Sequence, residues 1–181
     1  MLKLSRCVYV LMSAAFSPLL RLSERWLVSD CLVYRIRGRQ ILVERARDDG
    51  IVLSEKIDQS LALVEQFDAN RVRRIDSLFD RILVTSFSGA RAAHFPGSRT
   101  CFISTERVVQ LDPSRLAILI VAEAARARLS FVGIRPYPEL RKRIEHRRAA
   151  EEVSFVLRMP QGTFNATDEW ITERLRPFSK P

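Results

Sequence analysis

Two stretches of the chain carry ionisable side chains that a helix would bring onto one face. Glu123 is the only charged residue between Leu116 and Ala125, inside the run LAILIVAEAARARL. A lone carboxylate in a buried helix is costly unless it is paired or put to chemical use. Arg126 follows at i+3, one helical turn away, and can reach it. Further along, Arg141, Glu145, Arg148 and Glu152 are spaced i, i+4, i+7 and i+11 and share one face of a second helix. Leu140, Ile144 and Phe155 lie on an adjoining apolar face. Two consecutive helices that each turn a carboxylate inward can hold a cation between them.

The remaining side chains limit which cation that is. The chain has two histidines, His94 and His146, and three cysteines, Cys7, Cys31 and Cys101, with no C-x-x-C. A thiolate zinc site and a redox pair are therefore excluded on motif grounds. His146 is next to Glu145, about 100° around the helix, and reads as a surface histidine. His94, in the loop before the string TCFIS, can approach a cleft, so His94, Glu123 and Glu145 are the one metal-ligand set left to consider. Asp80, Ser104 and Asp112 show no nucleophile spacing. The six glycines are scattered, with no G-x-G and no phosphate-binding loop.

The segment from about Arg81 to Pro160 resembles the metal-binding half of a zincin-type metallopeptidase, and most resembles small bacterial zincin-like proteins. The matching residues are the strand Thr100-Cys101-Phe102-Ile103-Ser104, the helix Leu119 to Leu129, Gly133-Ile134, Tyr137, and the helix Leu140 to Glu145. The resemblance covers less than half of the chain. It implies a strand, a helix that carries H-E-x-x-H, and a following helix that carries a glutamate. Zinc needs two imidazoles at i and i+4 on one helical face. This chain has Ala122 and Arg126 at those positions. By the resemblance, Glu123 keeps the place of the general base and Glu145 that of the third ligand. Alanine offers no donor, and arginine is a fixed cation that repels a metal. Two carboxylates without imidazole or thiolate make a poor zinc site. The expectation is therefore that no cofactor and no zinc is used. The guanidinium of Arg126 is expected where the metal would sit, between Glu123 and Glu145, inside an ion network with Arg141, Arg148 and Glu152.

The elements that must position these groups follow from periodicity and breakers. CLVYRIR (31–37) and QILVER (40–45) flank Gly38-Arg39 and predict a hairpin. Apolar residues at Ile57, Leu61, Val64 and Phe67 predict a helix over 51–67, and a short charged helix follows over 71–80. Ile82-Leu83-Val84 and TCFIS predict strands, with 86–99 as a loop containing Gly89, Pro96 and Gly97. Asp112-Pro113 is a cap followed by a first helical residue. It opens a buried central helix over 113–130. Pro138 opens another over 138–157, and a last short helix is predicted over 167–175. The expected fold is α+β: a small sheet (31–45, 81–85, 99–104) packed on the central helix and the second long helix, zincin-like, under an N-terminal helical layer. The division is 1–70 for the helical and hairpin layer and 71–181 for the core, as one compact unit.

With 181 residues, 47% hydrophobic and 28% charged, the chain is long enough and apolar enough to fold without disulfide or metal staples. Only four of its 30 basic residues are lysine (Lys3, Lys56, Lys142, Lys180), which leaves 26 arginines, and the net charge is +9. The arginines are dispersed and not interleaved with aromatics, so a base-stacking surface is disfavoured. Residues 7–20 are uncharged but too few to span a bilayer. The favoured location is the cytoplasm, with a signal peptide or a peripheral membrane helix as the alternatives for residues 1–21. The function these readings favour is that of a catalytically inactive, zincin-like protein with a retained cleft for a peptide or protein partner. By the resemblance, strand 99–104 is the edge such a partner would join. The rivals are an active metallopeptidase-like hydrolase with atypical ligands, and a basic module for nucleic acid or anionic membrane.

Overall fold

In the computed structural model the described residues are 28–36, 38–45, 48–86, 92–94, 99–131 and 138–160. The N-terminal helical pieces expected before residue 28 and the short helix expected over 167–175 lie outside them. The fold is α+β. Its elements are β1 (Cys31–Ile36), β2 (Arg39–Glu44), α1 (Gly50–Phe67), α2 (Ala69–Leu78), β3 (Arg81–Thr85), β4 (Ala92–His94), β5 (Thr100–Ser104), α3 (Thr105–Gln110), α4 (Pro113–Phe131) and α5 (Pro138–Val156).

The five strands form one mixed sheet in the order β1-β2-β3-β5-β4. The hairpin β1–β2 is antiparallel, with Cys31 opposite Glu44 and Ile36 opposite Arg39. Its turn uses Gly38 at φ +78°, a left-handed conformation open to glycine. Strands β2, β3 and β5 run parallel, and β4 returns antiparallel along β5 with His94 opposite Cys101. Side chains alternate across the sheet, as the period of two requires. Ile41 and Val43, Ile82 and Val84, and Cys101 and Ile103 enter the main core. Leu42, Leu83 and Phe102 point to the other face and form a smaller cluster with Cys31. Strands buried on both faces read as continuous apolar runs, which is how ILV and CFI appear in the sequence.

Helix α1 supplies Leu53, Ile57, Leu61 and Val64 to the same core, at helical spacing. Helix α4 supplies Leu116, Ile120 and Ala127, and α5 supplies Phe155 and Val156. Hairpin, helices and strands thus share one hydrophobic core. Asp68 caps α2, accepting from the Arg71 N–H at 3.0 Å, and Asp112 caps α4, accepting from the Arg115 N–H at 3.0 Å. Arg39 holds Asp76 with two hydrogen bonds, at 2.7 and 3.0 Å, and so ties the hairpin to α2.

Two expectations are corrected here. The segment 86–99 is not wholly loop, because Ala92–His94 pairs with β5. Three residues beside a proline and a glycine leave no periodicity to detect, and only the pairing partner makes them a strand. As a consequence, 99–104 is not an edge. Strand β5 lies between β3 and β4, and all five of its residues are buried. An all-buried run of this kind belongs inside a sheet, whereas edges are commonly blunted by polar or charged residues. The outer strand on this side is β4. Helix α3, which follows β5 directly, is a further element that the sequence pattern did not reveal.

Candidate functional site

Helix α4 is apolar around most of its surface because it lies between the sheet, α1 and α5. From Leu116 to Ala124 every residue is buried, and Glu123, 1% exposed, is among them. The charge of Glu123 is felt on β5: burial, and after it Glu123, pushes the Cys101 thiol well above the usual thiol range. Glu123 therefore sits over the sheet, at the level where α5 packs against α4.

Its partners come from both helices. Arg126 Nη1 donates to Glu123 Oε2 at 3.3 Å, and Arg126 Nη2 donates to Glu145 Oε1 at 3.0 Å. The guanidinium of Arg126 thus bridges the carboxylates of α4 and α5, in the place expected for it. Arg148 is more central still. It lies 3.7 Å from Glu123, donates to Glu145 at 3.3 Å, and has its Nε 3.2 Å from Glu152. The last contact is an ion pair without hydrogen-bond alignment. Three carboxylates and two guanidinium groups are interlocked, with Glu123 and Glu152 both buried. Arg141 does not belong to this network. It is exposed, and among the described residues no ion pair links it to the cluster. Residue 141 is seven positions, about two turns, before Arg148, so a shared face does not bring it to the same contact.

The electrostatics decide what such a cluster can do. Burial raises the Glu123 carboxyl above its ordinary value; Arg126 and Arg148 pull it down, and Glu145 and Glu152 push it up. Desolvation is the largest of these influences. A raised carboxyl suits acid–base chemistry only where a water or substrate can reach it. Glu123 is almost wholly enclosed, and its oxygens face Arg126 and Arg148.

The alternative metal set is not assembled. His94 lies between the rings of Phe79 and Phe131, each centroid 5.7 Å from its own. Among the described residues no group of three or more His, Cys, Asp or Glu side chains is placed to hold a metal ion, and this includes His94 with Glu123 and Glu145. A lone histidine in sequence gives no sign of an aromatic slot built by residues 15 and 37 positions away. His146 is exposed on α5.

A second buried charge cluster was not read from the sequence at all. Arg71, 5% exposed, pairs with Asp68 at 3.2 Å and with Glu151 at 2.7 Å, and lies over the Phe155 ring at 5.5 Å. Arg158 also reaches Asp68. Only the Asp68–Arg71 spacing is local; the other partners are 80 and 90 positions away.

Among the described residues no helix is long and apolar enough to cross a membrane. No protein family, curated protein or solved structure matches the chain, so the reading of the site rests on its own chemistry.

Proposed function

We propose that this chain is a non-catalytic, zincin-like binding protein, in which an arginine stands where a metallopeptidase would hold zinc. The observation that carries the reading is the position of Arg126, 3.3 Å from Glu123 and 3.0 Å from Glu145. The order of elements also supports it: strand β5, then α4 with Glu123, then α5 with Glu145. Glu123 is the vestige of the general base. The guanidinium bridges both carboxylates and offsets one of their two charges, Arg148 adding a second cation, without supplying a Lewis acid or an activated water.

The binding surface in this reading is the outer edge of β4. An extended peptide joins an exposed strand through main-chain hydrogen bonds, and that requires no metal. The edge is 92–94 and not 99–104, because β5 has partners on both sides.

The test is elemental analysis of the purified protein, calorimetry with added zinc, and hydrogen exchange at Ala92–His94 in the presence of extended peptides selected for binding. The expected result is no stoichiometric zinc, no change of melting temperature with zinc or chelator, and slower exchange in β4 with bound peptide. Stoichiometric zinc of micromolar or tighter affinity, with chelator-sensitive hydrolysis, would establish the metallohydrolase reading instead. Peptides that bind and leave β4 exchange unchanged would remove the edge-strand surface.

A further inference from the structure

The contact between α4 and α5 has a second flank. Glu145, Arg148 and Glu152 face the ion network with Glu123 and Arg126. Ile144, Arg147 and Glu151, each one residue earlier and so about 100° around the helix, line a groove instead. The groove encloses about 340 Å³, and its walls include Arg128 of α4 and Arg143 and Arg147 of α5. Its floor is apolar, formed by Leu129 and Ile144.

The charge balance of this groove differs from that of its neighbour. In the ion network three carboxylates face two guanidinium groups. In the groove Arg128, Arg143 and Arg147 face the single carboxylate of Glu151, and that carboxylate is already held by Arg71 at 2.7 Å. Among the described residues none of the three groove arginines is in an ion pair. A small adjoining cavity of about 30 Å³, which shares Arg128 and Glu151 with the groove, is also lined by Arg71 and Arg74. Like charges gathered on converging helix faces repel one another, and a bound anion removes that repulsion. Arg143 and Arg147 are spaced i, i+4 and so are neighbours on α5, and with Arg128 of α4 they line the groove with their side chains exposed to solvent.

We propose that the α4–α5 groove is a binding site for a small organic phosphate, a phosphomonoester or pyrophosphate with two or more negative charges. The planar guanidinium fork matches phosphate oxygens two at a time, which favours arginine over lysine for this task. The volume falls within the size of small-molecule pockets, roughly 300–1,000 Å³, and is bounded on two sides by helices. The apolar floor of Leu129 and Ile144 accommodates the organic part of the ligand. The site is separate from the edge of β4 and does not depend on the peptide-binding reading.

The test is isothermal titration of the full chain with pyrophosphate and with a nucleoside triphosphate, in magnesium-free buffer at two salt concentrations. The variants are Arg143→Gln and Arg147→Gln, with Arg115→Gln as a control at the exposed start of α4; circular dichroism checks that each is folded. Saturable one-to-one binding is expected, weakened about tenfold or more by either groove variant, as loss of a charge-assisted contact implies. The control is expected to leave it unchanged. No saturable heat at millimolar probe overturns the proposal, and so does equal weakening by Arg115→Gln, which would indicate diffuse surface charge. Two further arms separate the sources of phosphate. Affinity that grows with the length of a single-stranded oligonucleotide would mark an extended nucleic-acid face. Binding to vesicles of an anionic phospholipid, without binding to the soluble probes, would mark a membrane surface. Either result overturns the assignment to a soluble small molecule.

Discussion

Replacing Arg126 with Met removes one guanidinium from the ion network and keeps an unbranched stem in its place. What remains is Glu123, 1% exposed, with Arg148 at 3.7 Å as its remaining cation. Breaking a fully buried pair costs about 3–5 kcal/mol, whereas an exposed pair is worth about 0–1 kcal/mol. The Arg126 side chain is 32% exposed and that of Glu145 38% exposed. The Glu145 contact therefore belongs near the second range, and the Glu123 contact must be discounted from the first. The expected loss for Arg126→Met is about 2–3 kcal/mol, read by urea unfolding at neutral pH. In a chain of this size that corresponds to a melting temperature lower by roughly 5–10 °C.

Glu123→Gln separates charge from shape. Burial, together with Glu145 and Glu152, raises the Glu123 carboxyl more than Arg126 and Arg148 lower it, so the ionised form is on balance less favourable in the folded protein than in the unfolded chain. Glu123→Gln alone should then cost less than about 1 kcal/mol, and the double variant should be more stable than Arg126→Met alone. The cycle should return a coupling of about 1–2 kcal/mol. The pH dependence has a definite sign. The folded protein holds the Glu123 proton more tightly than the unfolded chain, so the stability linked to it is fully present below the ordinary carboxyl value near 4.5 and is lost as pH rises through the raised folded value. Arg126→Met should extend that window upward, and Glu123→Gln should abolish it. An Arg126→Met variant within about 0.5 kcal/mol of the wild type, or a double variant no more stable than Arg126→Met, would refute the assignment of a coupled buried pair.

Arg71→Met should be more damaging, by about 3–4 kcal/mol in the same unfolding assay, because Arg71 is 5% exposed and its loss leaves Asp68 and Glu151 less compensated; a loss under about 1 kcal/mol would mean that this cluster is solvated in practice. Cys101 is fully buried and its thiol is pushed well up by burial, so peptide-resolved alkylation should label it only as urea unfolds the chain. Rapid labelling of Cys101 at mild alkaline pH below the unfolding transition would show that β5 opens locally.

Much of the scaffold was legible because its signals are local. The hairpin announces itself through two β-rich strings around Gly38, and α4 through Asp112-Pro113 followed by a run too apolar for a surface helix. The i+3 step from Glu123 to Arg126 is a distance along one helix, so the sequence contains it, and the structure places the two side chains in contact. The i, i+4 step from Arg148 to Glu152 is legible for the same reason.

What the sequence could not determine depends on which elements become neighbours. Nothing in Ala92–His94 marks a strand until β5 lies alongside, and that pairing is what moves 99–104 from the edge to the interior of the sheet. Helical phase put Arg141 and Arg148 on one face, but the crossing of α4 and α5 brings one turn of α5 to Glu123, so Arg148 meets all three carboxylates and Arg141 stays outside. The same crossing decides that Arg147, one residue before Arg148, opens onto a groove while its neighbour is held in the ion network. Composition gave the excess of arginine, and periodicity gave the helices that carry it. Only packing determines which guanidinium groups are neutralised inside the fold and which are left facing a space that an anion could fill, because that division depends on contacts between residues far apart in the chain.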